Sequence, residues 1–241
     1  MTTAFEEDHT VIRRLLFHVH TRRSLDSRIR PEQIVAFARN NGIACVIVAD
    51  HDTHLGSHDC ARIAGNGGPL FPMAAEYRSS QGELIAAFLS APITTRDPLG
   101  TIEETHAQGG LIILPHPFRG SRLPDAVHAR CDVIETFNAR SSDSENARAA
   151  ALAEELGKPF LAGADAHLAR ELGLVVNEYD DVGASLWTDL LRGVAPNSRL
   201  QKTTLRAIRE SQMIKAYRRA DPILLGKSII RWLQAPPTRT P

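Results

Sequence analysis

The chain has 241 residues, 43% of them hydrophobic and 23% charged. That suits one large domain or two small ones and excludes a disordered or collagen-like polymer. Net charge is zero, but the ten Lys and Arg from Arg199 onward face only Glu210 and Asp221, which leaves eighteen basic and twenty-six acidic side chains before them: an acidic body with a basic tail. Cys45, Cys60 and Cys131 have no C-x-x-C spacing, which argues against a zinc ribbon or a disulfide framework. No apolar run approaches the ~20 residues of a bilayer span. The polar, acidic residues 1–10 are unlike a secretory signal, so a cytoplasmic protein is expected.

In chain order, residues 13–19 read as a strand ending in Phe17-His18-Val19-His20-Thr21. Strand alternation puts His18 and His20 on one face. A loop with Ser24, Asp26 and Ser27 follows. Pro31 then opens a helix that Asn40-Asn41-Gly42 stops. Residues 43–49 form a continuous apolar run, as in a strand buried on both faces, and lead to Asp50-His51-Asp52-Thr53-His54. Residues 70–75 make a short strand ending at Glu76, and residues 83–89 make another, paired with it through Gln81-Gly82. Residues 99–108 read as a helix. Residues 111–114 are a buried strand ending at Pro115-His116-Pro117. A strand over 132–137 carries Glu135 and leads to Asn138. A helix over 143–156 closes at Gly157. A strand over 160–163 ends at Asp165-Ala166-His167. A further strand is expected at 172–176 and a helix near 184–192.

This strand–helix rhythm predicts an α/β fold with a mostly parallel sheet. About seven strands delivering polar residues at their carboxyl ends favour a closed barrel, whose chemistry gathers at one rim, with an open doubly wound sheet as the alternative. No G-x-G-x-x-G, Walker A or G-x-S-x-G motif occurs, so neither a nucleotide cofactor nor a serine nucleophile is indicated. The strand-end residues are His18, His20, Asp26, His51, Glu76, Glu83, His116, Asp165 and His167. An all-nitrogen and oxygen set suits zinc, manganese or iron. It exceeds one tetrahedral shell, so two or three divalent ions are expected. Each residue also has an ordinary reading: Asp26 as a turn aspartate, Asp52 as a helix cap, Glu76 as a partner of Arg78. It is the recurrence at successive strand ends that favours metal. His9, His54, His58, His106 and His128 fall outside the pattern and read as surface.

These motifs, from Leu15 to Val176, resemble the PHP domain, the polymerase and histidinol phosphatase family of metal-dependent phosphoesterases. The resemblance implies a distorted (β/α)7 barrel with up to three ions. His18, His20, Glu76 and Asp165 would hold the first. Glu76, Glu83 and His116 would hold the second, with Glu76 bridging. Asp26, His51 and His167 would hold the third. Asp26 stands where some members use histidine, and Glu83 where many do. The expected reaction is phosphate-ester hydrolysis by a metal-bridging hydroxide, without a protein nucleophile. Arg119 and Arg140 are candidates to fork the phosphate of a small-molecule ester or nucleotide, and Glu135 to orient a ligand histidine.

Two rivals are an amidohydrolase-type C–N hydrolase and a non-catalytic metal-binding regulatory module. The first is weakened by Lys158 being the only lysine in the expected barrel. Residues 1–198 would form the barrel and 199–241 a basic helical tail. The tail is expected to dock on the barrel or a second subunit; nucleic acid or an anionic membrane surface is the less favoured partner. Residues 235–241 are expected to be disordered.

Overall fold

The computed structural model describes residues 11–181, 188 and 195–235. The strands are β1 (Val11–Val19), β2 (Ile43–Val48), β3 (Ala74–Arg78), β4 (Glu83–Ala87), β5 (Leu111–Leu114), β6 (Val133–Asn138), β7 (Phe160–Gly163), β8 (Val175–Asp181) and β9 (Ala195–Leu200). The helices are α1 (Pro31–Asn40), α2 (Leu55–Ala64), α3 (Pro98–Ala107), α4 (Asp125–Arg130), α5 (Asp143–Leu156), α6 (Leu205–Arg218) and α7 (Pro222–Leu233). Helix starts follow local chemistry. Pro31, Pro98 and Pro222 occupy first turns, where the missing N–H costs nothing. Ser142 and Glu145 form a capping box on α5, and Gly157 closes that helix at φ 59°.

The α/β architecture stands, but the sheet is mixed rather than mostly parallel. Strand order is β2-β1-β8-β9 in one sheet and β3-β4-β5-β6-β7 in the other. The β1–β2, β5–β6 and β6–β7 ladders are parallel, whereas β1–β8, β3–β4, β4–β5 and β8–β9 are antiparallel. A hairpin needs only a few residues to reverse the chain, and Ser79–Gly82 supplies one between β3 and β4. The sheets meet through isolated bridges: Cys45–Leu70 and His51–Glu76 on one side, Val19–Ala166 on the other. Strands of both sheets share one core, with Leu15, Phe17, Ile47, Ile85, Ile113 and Leu161 among its members. A second apolar layer packs under α1 and α2, and a third under α3, α4 and α5.

Other expectations shift. Glu76 lies in the middle of β3, not after a strand over 70–75. The strand expected at 172–176 runs Val175–Asp181, antiparallel to β1. Helix α2 follows Asp52 but starts after His54, and helix α4 and strand β9 have no counterpart among the expected elements. The helix expected near 184–192 lies outside the described residues, residue 188 aside, as do residues 236–241. His128 is 7% exposed, not a surface residue, because α4 turns it inward. No described helix is long and apolar enough to cross a membrane.

Helix α6 approaches the strand ends through the small buried residues Ala207, Ser211 and Ala216. Arg218 donates to the main-chain oxygens of Ser24 and Ser27, both at 2.9 Å. Arg170 pairs with Glu210.

Candidate metal centre

The bend that delivers His18 is not simple alternation. Leu15 and Phe17 point into the core shared by the sheets, and Leu16 toward α1 and α2. Strict alternation would send His18 outward with Leu16. Instead the β1–β2 register slips between Phe17 and Val19, so His18 is an inserted bulge residue at φ 62°. The bulge reverses the parity: Val19 joins Leu16 in the outer layer, and the His18 and His20 rings lie 5.1 Å apart under the cavity floor, both fully buried.

Glu76 is the centre. Its Oε1 lies 3.1 Å from His116 Nε2 and 3.4 Å from His18 Nε2. Its Oε2 lies 3.0 Å from His51 Nδ1 and 3.7 Å from His20 Nε2. Asp165 Oδ1 is 3.3 Å from His20 Nε2 and 3.7 Å from His18 Nε2. Glu83, at the start of β4, is 3.7 Å from His116 Nε2 and 3.9 Å from His51 Nδ1. Asp26 lies 3.4 Å from His167 Nε2 and 3.5 Å from His51 Nε2. The expected strand-end residues are thus brought together. Above them opens a cavity of about 300 Å³, lined by Asp26, His51, Glu76, Glu83, His116, Asp165 and His167 with Arg119, Arg140 and part of α6.

The far nitrogen of three rings is held, which fixes the near one. His18 Nδ1 donates to Glu135 Oε1 at 2.9 Å. His167 Nδ1 donates to the Asp165 main-chain oxygen at 2.8 Å. His20 Nδ1 faces Ser24 Oγ at 3.2 Å, and that hydroxyl donates to Asp50. These contacts assign the tautomers that leave Nε2 bare toward the cluster. Glu135 also accepts the His116 N–H at 2.7 Å and Asn138 Nδ2 at 3.0 Å. Asp50 accepts Thr21 N–H and Oγ–H as well as Ser24, so it ties the loop after β1 to the end of β2. Asp52 does not cap a helix; it takes both arms of Arg78, at 2.6 and 2.8 Å.

Charges in the cluster perturb one another. Burial, reinforced by His167, lowers His20 to about 3, so its ring is a neutral lone-pair donor. Burial opposes a charge on His51, but the neighbouring carboxylates of Asp26 and Glu76 outweigh it and raise that ring to about 10. Burial and the neighbouring Glu76 raise Glu83. Burial favours a neutral Asp165, yet Arg119 and His18 hold it well below the usual carboxylate range.

The residues fit divalent ions. His18 Nε2, His20 Nε2, Asp26 Oδ1 and His51 Nδ1 are buried with no hydrogen-bond partner. Orphaned polar atoms are costly in a folded interior, and three of these, His18 Nε2, His20 Nε2 and His51 Nδ1, lie around the Glu76 carboxylate. Ligand atoms of His18, His20 and Glu76, of His51, Glu76 and Glu83, and of His20, His51 and His167 form groups within 4.8 Å.

The two arginines differ. Arg119 lines the cavity and donates to Asp165 at 2.5 Å and to Asn138 at 2.7 Å. Arg140 also lines it, but its guanidinium is committed to Glu171 at 2.9 and 3.1 Å and to Ser211 at 2.9 Å. Glu171 in turn accepts the main-chain N–H groups of His167 and Leu168. Sequence reasoning missed Lys215, on α6, whose Nζ is 2.7 Å from Asp26 Oδ2. No local signal marks it, since it stands 189 residues from its partner.

Comparison with known proteins bears on the fold. The family described as "PHP-associated" matches residues 143–195. An uncharacterised protein of Methanocaldococcus jannaschii, MJ1587, is 32% identical over 143 residues, covering 52% of this chain and 82% of that protein. A two-domain protein of Bacteroides vulgatus, described as containing a predicted PHP-like metal-dependent phosphoesterase, superposes with TM-score 0.67 at 18% identity, over 84% of this chain and 69% of that one. An amidohydrolase of Chromobacterium violaceum, solved with bound sulfate, superposes with TM-score 0.55 at 14% identity, over 76% of this chain and 97% of that one. At such identities the two structures speak to fold alone. Residues 143–195 thus carry the match to the PHP-associated family, and the fold is the one found in the PHP-like neighbour.

Proposed function

We propose that this chain is a metal-dependent phosphoesterase acting on a small phosphate ester, at a site of two or three divalent ions. The observation that carries the reading is the Glu76 carboxylate, each of whose oxygens faces two imidazoles. A carboxylate so placed is built to bridge two cations. His18, His20 and Asp165 would complete one position, Glu83 and His116 the second, and Asp26, His51 and His167 a third. Divalent ions held there supply an activated water and neutralise charge on the phosphoryl oxygens. The chain's own residues do the rest. Glu135, Ser24 and the Asp165 carbonyl keep three imidazoles in the ligating tautomer. Arg119, already turned to the cavity, would meet a phosphate oxygen there. Arg140 positions the His167 loop through Glu171.

The architecture is read as a distorted (β/α)7 barrel. Support comes from the bridges that stitch β2 to β3 and β1 to β7. The body, residues 1–198, would carry the site and the tail, residues 199–241, would dock across its mouth. Cys45, Cys60 and Cys131 are buried and unpaired, in keeping with a reducing compartment such as the cytoplasm.

The test is a panel of phosphate mono- and diesters assayed with zinc, manganese or iron. Turnover is expected, abolished by chelator and reduced at least about a thousandfold in His18→Ala and His116→Ala with circular dichroism unchanged. Hydrolysis of amides but not phosphates would move the chain to the C–N hydrolase reading. Bound metal with no turnover on any substrate would make it a binding module.

A further inference from the structure

Asp26 meets a cation that no strand end delivers. Lys215 reaches down from α6 to Asp26 Oδ2 at 2.7 Å, with its side chain still 29% exposed. The same oxygen is 3.5 Å from His51 Nε2. The other oxygen, Oδ1, is 3.4 Å from His167 Nε2 and has no hydrogen-bond partner. One carboxylate therefore faces an ammonium and two imidazoles at once.

We propose that Lys215 is a tethered cation that competes with the third divalent ion for Asp26, so that filling this position and closure of α6 oppose each other. The inference rests on the metal reading of the cluster. A divalent ion ligated by Asp26 sits about 2.1 Å from a carboxylate oxygen. It would then lie within about 7 Å of an ammonium still seated on the other oxygen, where their repulsion scales with the product of the charges and is weakly screened. The imidazoles are the less free to yield: His167 Nδ1 donates to the Asp165 main-chain oxygen and its main chain to Glu171, and His51 Nδ1 lies 3.0 Å from Glu76. The lysine can, on a flexible four-carbon stem. Arg218 and Ser211 fasten α6 to the body on either side of Lys215, which keeps its effective concentration high. Linkage is reciprocal, so an ion that displaces Lys215 loosens α6 to the degree that Lys215 weakens the ion.

The experiment counts manganese on the full chain by chelator competition and electron paramagnetic resonance, without reference to turnover. Wild type is compared with Lys215→Met, Lys215→Gln and Lys215→Arg. The weakest-held ion should bind at least about tenfold tighter in the two neutral variants, with the others unchanged and Lys215→Arg like wild type. In wild type, protease cleavage between residues 201 and 221 should rise as that ion binds. Equal or weaker binding in Lys215→Met and Lys215→Gln would overturn the proposal while leaving the metal reading intact, and would make Lys215 a residue that merely aims Asp26. Absence of manganese from every protein would remove the metal reading and this inference together.

Discussion

At the scale of single residues, the site stores backbone strain. His18, His116 and Asp165 have φ of 62°, 26° and 47°, in the left-handed region that side-chain-bearing residues avoid. Such positions cost about 1–3 kcal/mol each and persist where surroundings over-determine them. Glu135 does much of that, holding the His18 ring and the His116 N–H together. Gly163 makes room for it: a Cβ there would fall 1.7 Å from Glu135 Oε1. Gly163→Ala should therefore destabilise the protein by about 2–3 kcal/mol in urea unfolding and weaken metal binding, because Glu135 must move off His18.

Asp50 offers a pH test at the same scale. Burial raises its carboxyl to about 6 from 3.8, despite the hydrogen bonds from Thr21 and Ser24. The fold thus favours its neutral form. That contribution is fully present below about pH 4 and is lost as pH rises through 6. Wild type should lose about 3 kcal/mol across this window relative to Asp50→Asn, measured by denaturant unfolding in chelator. An equal pH dependence in the two proteins would rule it out.

At the scale of elements, the turn after β7 is held by a buried ion pair. Arg140, after β6, grips Glu171, and Glu171 receives the N–H groups of His167 and Leu168. Removing one partner of such a pair strands the other charge in the interior. Arg140→Ala should cost about 3–5 kcal/mol, and Arg140→Lys, which lacks the planar fork, should recover only part of it. Thermal melts of the two variants decide this. An intact melt for Arg140→Ala would instead free Arg140 for a direct role at the substrate.

At the scale of the whole molecule, the ligand candidates come from both sheets, while among the described residues the main chains meet at the seams through isolated bridges rather than continuous ladders. Ions bound between them would clamp the seams. Manganese or zinc at about a hundred times its dissociation constant should stabilise the fold by about 2.7 kcal/mol per independent site, reversed by chelator in a thermal scan. No shift with any of the candidate metals would argue that the cluster does not ligate in the folded state.

The sequence by itself determined the chemistry of the site and its address along the chain. Residue type and the habit of placing His and Asp just after buried apolar runs are local properties, legible at His18 and His20, at His51, at His116, and at Asp165 and His167. Only the tertiary structure decided how they meet. The bulge that turns His18 inward, the mid-strand seat of Glu76, the commitment of Arg140 to Glu171 and the arrival of Lys215 at Asp26 all depend on register and long-range packing. No local pattern encodes those, because each is settled by a partner far away in the chain.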